Sequence, residues 1–140
     1  MTEQPFSKTA IDQGPASVVY LVIGIPGSGK STVSAALARQ LERAAHIEAD
    51  DLQALIVSSG HLPSPRHDPE ADRQLLLRAR HASLLARSFH AAGMVPVIDD
   101  VVVRKNHLDF YLEQTKRSAT TAHCARSVRG NRPSSRRTAR

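Results

Sequence analysis

The sequence predicts an α/β protein with three layers and a parallel β-sheet. Short apolar runs alternate with longer segments of helical periodicity, in the order strand–helix–strand–helix–helix–strand–helix. The apolar runs are nearly continuous rather than alternating, which is typical of strands buried on both faces of a parallel sheet. Glycine-rich or acidic segments follow the predicted strands, and parallel sheets bind ligands at the carboxyl ends of their strands. We therefore expect these segments to converge on one cleft.

The predicted elements begin with the β-branched run Val18–Ile23 as a strand. A helix is predicted from Ser31 to about Ala44, with Val33, Leu37 and Leu41 on its buried face. The later elements are a strand at His46–Ala49, a short helix from near Asp51, a long helix over about Pro69–Ala92, a strand at Met94–Ile98 and a helix over about Asn106–Lys116. A row of arginines on the long helix is expected to face water: Arg73, Arg80 and Arg87.

The turn between the first strand and the first helix carries a complete phosphate-binding pattern. Gly24, four residues and then Gly29-Lys30-Ser31 match the P-loop, which predicts a three-layer P-loop NTPase fold. Backbone N–H groups and the helix N-terminus would face the phosphates of ATP, Lys30 would reach the β- and γ-phosphates, and Ser31 would bind Mg²⁺. The residues expected to contact the nucleotide are Gly24, Pro26, Gly27, Ser28, Gly29, Lys30, Ser31 and Thr32. The alternative is a glycine–serine turn that binds no ligand.

Two aspartate pairs follow the second and third predicted strands. Asp99 and Asp100 are the candidates for the Mg²⁺ side of a phosphoryl-transfer site, because an aspartate after an apolar strand is the usual metal-side group of P-loop enzymes. Asp50 is placed to face an acceptor hydroxyl as general base. The alternatives are that Asp50 or Asp51 caps the next helix, and that Asp99 and Asp100 are turn residues. The seven histidines show no metal-ligand spacing and are interpreted as surface or packing residues.

Three segments resemble a known family of small kinases. GIPGSGKST, HIEADDLQALIV and VPVIDDVVV are similar to the P-loop kinases grouped with chloramphenicol phosphotransferase and the zeta-toxin kinases, over about residues 17–115. Such enzymes move the γ-phosphate of ATP to a hydroxyl of a small molecule or sugar nucleotide. The resemblance implies Asp50 as the acceptor-side base and the pair Asp99-Asp100 as the metal-side carboxylates. It also implies an arginine three residues after the base, where this chain has Gln53.

Charge divides the chain into a neutral body and a basic tail. Residues 1–116 hold 12 Lys and Arg against 13 Asp and Glu, whereas residues 117–140 hold seven Arg and no acid. We expect a flexible lead-in over 1–16, a nucleotide-binding domain over 17–116, and a disordered tail over 117–140 that forms no buried strand. A shift of reading frame near Arg117 would explain the tail, with loss of the last strand and an arginine-bearing lid. The alternative is a basic arm that contacts nucleic acid.

The function expected from these residues is transfer of the γ-phosphate of ATP to a hydroxyl of a small molecule, with Mg²⁺ as cofactor. Arg66, Arg73 or Arg104 is a candidate for the cation that stabilises the transferred phosphoryl group. The alternatives are an ATP-binding fragment without catalysis, and a polynucleotide 5′-kinase or nucleic-acid binder that uses the tail. No apolar run reaches the length of a membrane span, and the single cysteine, Cys124, excludes an internal disulfide. We expect a cytoplasmic location and no membrane partner.

Overall fold

The structure is a computed structural model, and it describes residues 18–102 and 104–116 together with the backbone of 121–126. The predicted lead-in therefore lies outside the described residues. The elements in chain order are β1 (Val18–Ile23), α1 (Lys30–Gln40), β2 (Ala44–Glu48), α2 (Ala49–Ala54), α3 (Pro69–Ala91), β3 (Val95–Asp100), α4 (Lys105–Lys116) and β4 (Thr121–Arg126). Among the described helices, none combines the length and the apolar character needed to cross a bilayer.

The four described strands form one parallel sheet in the order β2-β3-β1-β4. Ile23 at the end of β1 is level with Asp100, and Glu48 at the end of β2 is level with Asp99. Because all strands point the same way, the glycine-rich turn and both aspartate pairs emerge at one edge of the sheet. The predicted α/β fold with a parallel sheet is confirmed.

Helix α3 packs closely against the sheet because its buried face is made of small residues. Ala79 and Ala82 have no exposed surface and Ala86 is 2% exposed. They share one core cluster with alternate strand residues such as Leu21 and Ile98. Helix α4 contributes the buried Tyr111 to the same cluster and therefore lies on the same face of the sheet as α3. Helix α1 covers the other face, because the right-handed crossovers from β1 to β2 and from β2 back to β3 run in opposite directions.

Two local predictions are wrong. The fully buried positions of α1 are Lys30 and Ser34, whereas Val33 is 49% exposed and only Leu37 and Leu41 of the predicted face are half-buried. Lys30, the first residue of α1, points inward because the preceding turn places it at the sheet edge, beside Asp99. The second error concerns β3, which continues through Asp99 and Asp100 instead of ending before them. These aspartates are therefore strand residues, and the interpretation of the pair as a turn is wrong. The arginine row on α3 is exposed, as predicted.

The expectation of a disordered tail over 117–140 does not hold at Thr121–Arg126, which is a strand. This segment, β4, pairs in parallel with β1 along the whole of Val18–Ile23. The prediction required apolar side chains, but the free edge of β1 offers a row of backbone donors and acceptors that any extended segment can pair with. Residues 117–120 and 127–140 lie outside the described part of the chain.

The close approach of α3 to the sheet predicts that a larger side chain is not tolerated there. Ala82→Leu adds volume at a fully buried position and should lower the free energy of unfolding by about 1–3 kcal/mol, the usual cost of overpacking. Urea denaturation measures the change. The matched control is Ala36→Leu, the same substitution at an exposed position of α1. Equal stability of the two variants would contradict the packing described for α3.

Candidate active site

The glycine-rich turn forms an open curl in front of α1. Gly27 and Gly29 adopt left-handed backbone angles, with φ of 72° and 83°. Gly29 is the N-cap of α1, and no side chain caps the helix, so its first N–H groups are directed into the curl. A Cβ at Gly29 would meet no atom within 4 Å, so the backbone angle, and not crowding within the protein, is what requires glycine here. An uncapped helix N-terminus at such a curl is suited to binding an anion.

Lys30 is buried at the start of α1 and points toward the end of β3. Its Nζ lies 3.7 Å from Oδ1 of Asp99, and only 7% of the residue is exposed. The next residue, Ser31, is partly buried, and Thr32 is exposed. The P-loop lysine and one of the predicted carboxylates are therefore in contact.

Asp99 and Asp100 are both buried, yet they face opposite sides of the sheet. Consecutive strand residues alternate between the two faces. Asp99 faces Lys30 of α1, whereas Asp100 faces α3 and α4. From the sequence alone, either aspartate could serve the metal. In the structure the two carboxylates contact different elements on opposite faces of the sheet.

Asp99 has charged neighbours but no hydrogen-bond partner among the described residues. Neither of its carboxylate oxygens accepts a hydrogen bond there. Nε2 of His46 on β2 lies 3.5 Å from Oδ2 of Asp99. His46, which sequence analysis interpreted as a surface or packing residue, is brought by the sheet register to a predicted site carboxylate. Chain spacing could not show this contact, since it crosses from one strand to another.

Asp100 lies at the centre of a buried polar network. Nη2 of Arg78 donates to its Oδ1 at 2.5 Å, and the Tyr111 hydroxyl donates to its Oδ2 at 2.7 Å. His107 stacks on Tyr111, and its Nε2 lies 3.3 Å from the same Oδ2. Burial, followed by the neighbouring Asp100 charge, raises the pKa of Tyr111 above its ordinary value, so the hydroxyl stays protonated and acts as a donor.

Asp50 stands at the exposed end of the same network. Nη1 of Arg78 lies 3.4 Å from Oδ1 of Asp50, whose side chain is 65% exposed. Asp50 and Asp51 lie in the first turn of α2, and the N-cap is Glu48. The alternative that either aspartate caps this helix is therefore wrong. One guanidinium thus connects a buried carboxylate to an exposed one.

Gln53, which stands where the resemblance implies an arginine, has a structural role. It is 8% exposed, and its amide donates to Gln74 Oε1 at 3.3 Å. Gln74 also accepts from the backbone N–H of His61 and donates to the carbonyl of Ser59. Gln53 therefore helps to fix the loop after α2 against α3. The guanidinium beside Asp50 comes instead from Arg78, one helical turn beyond Gln74.

Sequence analysis missed Arg78, although a signal was present. Arg78 is three residues after Leu75 and four before Ala82, so it lies on the apolar stripe of α3 and not on the exposed arginine row. An arginine on a buried stripe indicates a buried carboxylate partner. The three arginines that were alternative candidates for the cation at the site are all exposed, and two of them pair with other acids. Arg66 is exposed, Arg73 pairs with Glu70 at 3.0 Å, and Arg104 pairs with Asp72 at 3.3 Å.

The fold and the curl at the end of β1 define the class of protein, a P-loop NTPase fold. A family model described as an AAA domain, AAA_33, matches residues 19–129. The chain therefore belongs to this AAA domain family. The match continues past Lys116, into the segment that sequence analysis set apart from the domain. No curated protein matches the chain.

Solved structures with similar folds include several kinases. A protein named APE1195 has a TM-score of 0.65 at 16% identity, over 81% of this chain and 61% of its own length. A sugar kinase from Janibacter sp. has a TM-score of 0.56 at 18% identity, over 81% of this chain and 61% of its own. A point mutant of the APS kinase CysC of Mycobacterium tuberculosis has a TM-score of 0.58 at 17% identity, over 85% of this chain and 83% of its own length.

The chain spans about three-fifths of the length of the first two of these structures. The family match and these similar structures agree on the P-loop NTPase fold. The narrower resemblance to chloramphenicol phosphotransferase and the zeta-toxin kinases stays a prediction.

The buried position of Arg78 predicts a large stability effect. Arg78→Ala leaves Asp100 without its cation, and breaking one side of a buried ion pair costs about 3–5 kcal/mol of unfolding free energy. Urea denaturation followed by circular dichroism measures it. Arg80→Ala, two residues away and exposed, is the matched control and should change stability by no more than about 0.5 kcal/mol. If the two variants unfold alike, Arg78 does not hold the network together.

Proposed function

We propose that this protein is an ATP-dependent phosphotransferase that moves the γ-phosphate of ATP to a hydroxyl of a small molecule. One observation carries the proposal. At a single sheet edge, the P-loop curl and Lys30 lie beside the buried carboxylate of Asp99, while a second carboxylate, Asp50, stands exposed after the neighbouring strand. Phosphoryl transfer needs these two sides, one that holds the phosphates and one that faces the acceptor.

The nucleotide side consists of the loop and two side chains. The backbone N–H groups of Gly24–Thr32 other than Pro26, which has none, would surround the phosphates, and Lys30 would leave its contact with Asp99 to bind the β- and γ-phosphates. The residues present fit Mg²⁺, because oxygen ligands suit this ion and both oxygens of Asp99 lack a hydrogen-bond partner among the described residues. Ser31 and Asp99 would hold the ion. When bound, Mg²⁺ would neutralise the negative charge that develops on the phosphates during transfer.

The acceptor side depends on Asp50. Its exposed carboxylate would accept the proton of the attacking hydroxyl, and Arg78 would fix its orientation from below. We assign Asp100 to this side and not to the metal, because its oxygens already accept from Arg78 and Tyr111. Asp100 therefore acts as a positioning residue through Arg78.

An ATP-binding protein without catalysis is a second candidate. Arg78 reaches the cleft, but it donates to Asp100 and lies within 3.4 Å of Asp50. Its guanidinium is therefore engaged by Asp50 and Asp100, while Lys30 is the cation beside Asp99. In P-loop enzymes, the loss of an arginine that stabilises the charge of the transferred phosphoryl group can lower the rate about 10³- to 10⁵-fold. Incubation with γ-labelled ATP and a panel of sugars, nucleosides and sugar nucleotides separates the candidates: labelled product supports the kinase, and ATP binding without any transfer supports the second.

Lys30→Ala tests the nucleotide side. Loss of a charged hydrogen-bond donor to phosphate costs about 1.5–3 kcal/mol, so we expect ATP affinity to fall roughly 10- to 150-fold. Calorimetric titration with ATP and MgCl2 measures the affinity. Lys105→Ala removes an exposed lysine that pairs with Asp109 and should leave ATP affinity unchanged. Unchanged affinity in Lys30→Ala would refute the nucleotide site.

Asp50→Asn tests the acceptor side. Removing a general base should lower kcat about 10²- to 10⁴-fold and leave ATP affinity unchanged. The matched control is Asp51→Asn, an exposed neighbour in the same turn of α2. The rate of label transfer to the active acceptor is the measurement. A variant with the wild-type rate would show that Asp50 does not accept the proton.

A further inference from the structure

Two side chains at the end of β2, His46 and Glu48, lie close to Asp99 and carry atoms that can bind a metal ion. His46 and Glu48 lie two residues apart on β2, so they point to the same face, and the register sets Glu48 level with Asp99. One ligand atom from each of His46, Glu48 and Asp99 lies within 4.8 Å of the others. Nothing in the proposed phosphoryl-transfer mechanism uses His46 or Glu48.

The Asp99 carboxylate lies near one cation, Lys30, and still has open acceptor positions. Its side chain is 2% exposed, and neither oxygen has a hydrogen-bond partner among the described residues. His46 Nε2 is buried and equally without a hydrogen-bond partner there. Buried polar atoms of this kind are costly unless something binds them. Two acceptor oxygens and a ring nitrogen facing each other are typical of a site that an ion completes.

The distances suit a small transition-metal ion. Metal–ligand bonds of about 2.1 Å at tetrahedral angles separate two ligand atoms by roughly 3.4 Å. His46 Nε2 and Asp99 Oδ2 are 3.5 Å apart. Oε1 of Glu48 lies 3.8 Å from the other ring nitrogen of His46, Nδ1, so Glu48 would have to turn to join an ion bound at Nε2. Its side chain is 41% exposed, which leaves a path from solvent.

We propose that His46, Glu48 and Asp99 form a second cation site, selective for a divalent first-row transition ion. An imidazole nitrogen favours Zn²⁺, Co²⁺ or Ni²⁺ over Mg²⁺, which prefers oxygen ligands. The site shares Asp99 with the proposed Mg²⁺·ATP site, but His46 and Glu48 belong to it alone. The inference therefore does not rest on the proposed function.

The test is calorimetric titration of the full chain with CoCl2 in the absence of ATP, with visible spectra recorded in parallel. Wild-type protein should bind one Co²⁺ at this site with d–d bands of mixed nitrogen and oxygen ligation, and excess MgCl2 should not displace it. His46→Gln should weaken binding at least about tenfold, since even outer partners of a metal site are worth 10- to 100-fold. Glu48→Gln, a half-exposed position that should not affect folding, should also weaken it.

The matched control is His67→Gln, because His67 is an exposed histidine 3.4 Å from a carboxylate of Asp72. It should leave this Co²⁺ site intact. Identical isotherms for wild type, His46→Gln and Glu48→Gln would overturn the proposal and show that His46 is only a neighbour of Asp99. Lys30→Ala separates this result from the nucleotide site, because it should lose ATP affinity and keep Co²⁺ binding.

Discussion

The pleat at the end of β3 organises this cleft. It sends the carboxylates of Asp99 and Asp100 to opposite faces of the sheet, one toward the P-loop lysine and the other toward α3 and α4. Each burial would be costly for an unpaired charge. The α1 side meets that cost with Lys30, and the α3 side meets it with Arg78 and Tyr111. The two sides of the proposed reaction therefore meet at two consecutive residues.

The Asp100 network connects the proposed acceptor side to the hydrophobic core. Arg78 can reach the sheet because α3 approaches it on alanines, and these same alanines pack against the core strands. Its guanidinium then spans from buried Asp100 to exposed Asp50. A change that loosens α3 should therefore disturb the orientation of Asp50 as well as stability. The position of the proposed base is a consequence of core packing.

The residue that contacts Asp50 in space is not the one that its position in the chain predicts. The resemblance implies an arginine at the place of Gln53, on the same short helix as the aspartate. In the structure Gln53 points inward to Gln74 and fixes a loop, while a guanidinium arrives from another helix. A local motif can therefore be incomplete in sequence when a contact of the same chemistry is present in the fold. Only charges and distances across elements show this.

The sequence alone determined the parallel α/β fold, the P-loop between β1 and α1, and the edge at which Asp50, Asp99 and Asp100 emerge. These features follow from local patterns, because strand and helix periods and glycine-rich turns are encoded by neighbouring residues. Tertiary structure alone decided that Lys30 and His46 approach Asp99, that Arg78 approaches Asp100, and that Thr121–Arg126 pairs with β1. Those contacts join residues far apart in the chain, and they depend on strand order, register and the depth at which α3 packs.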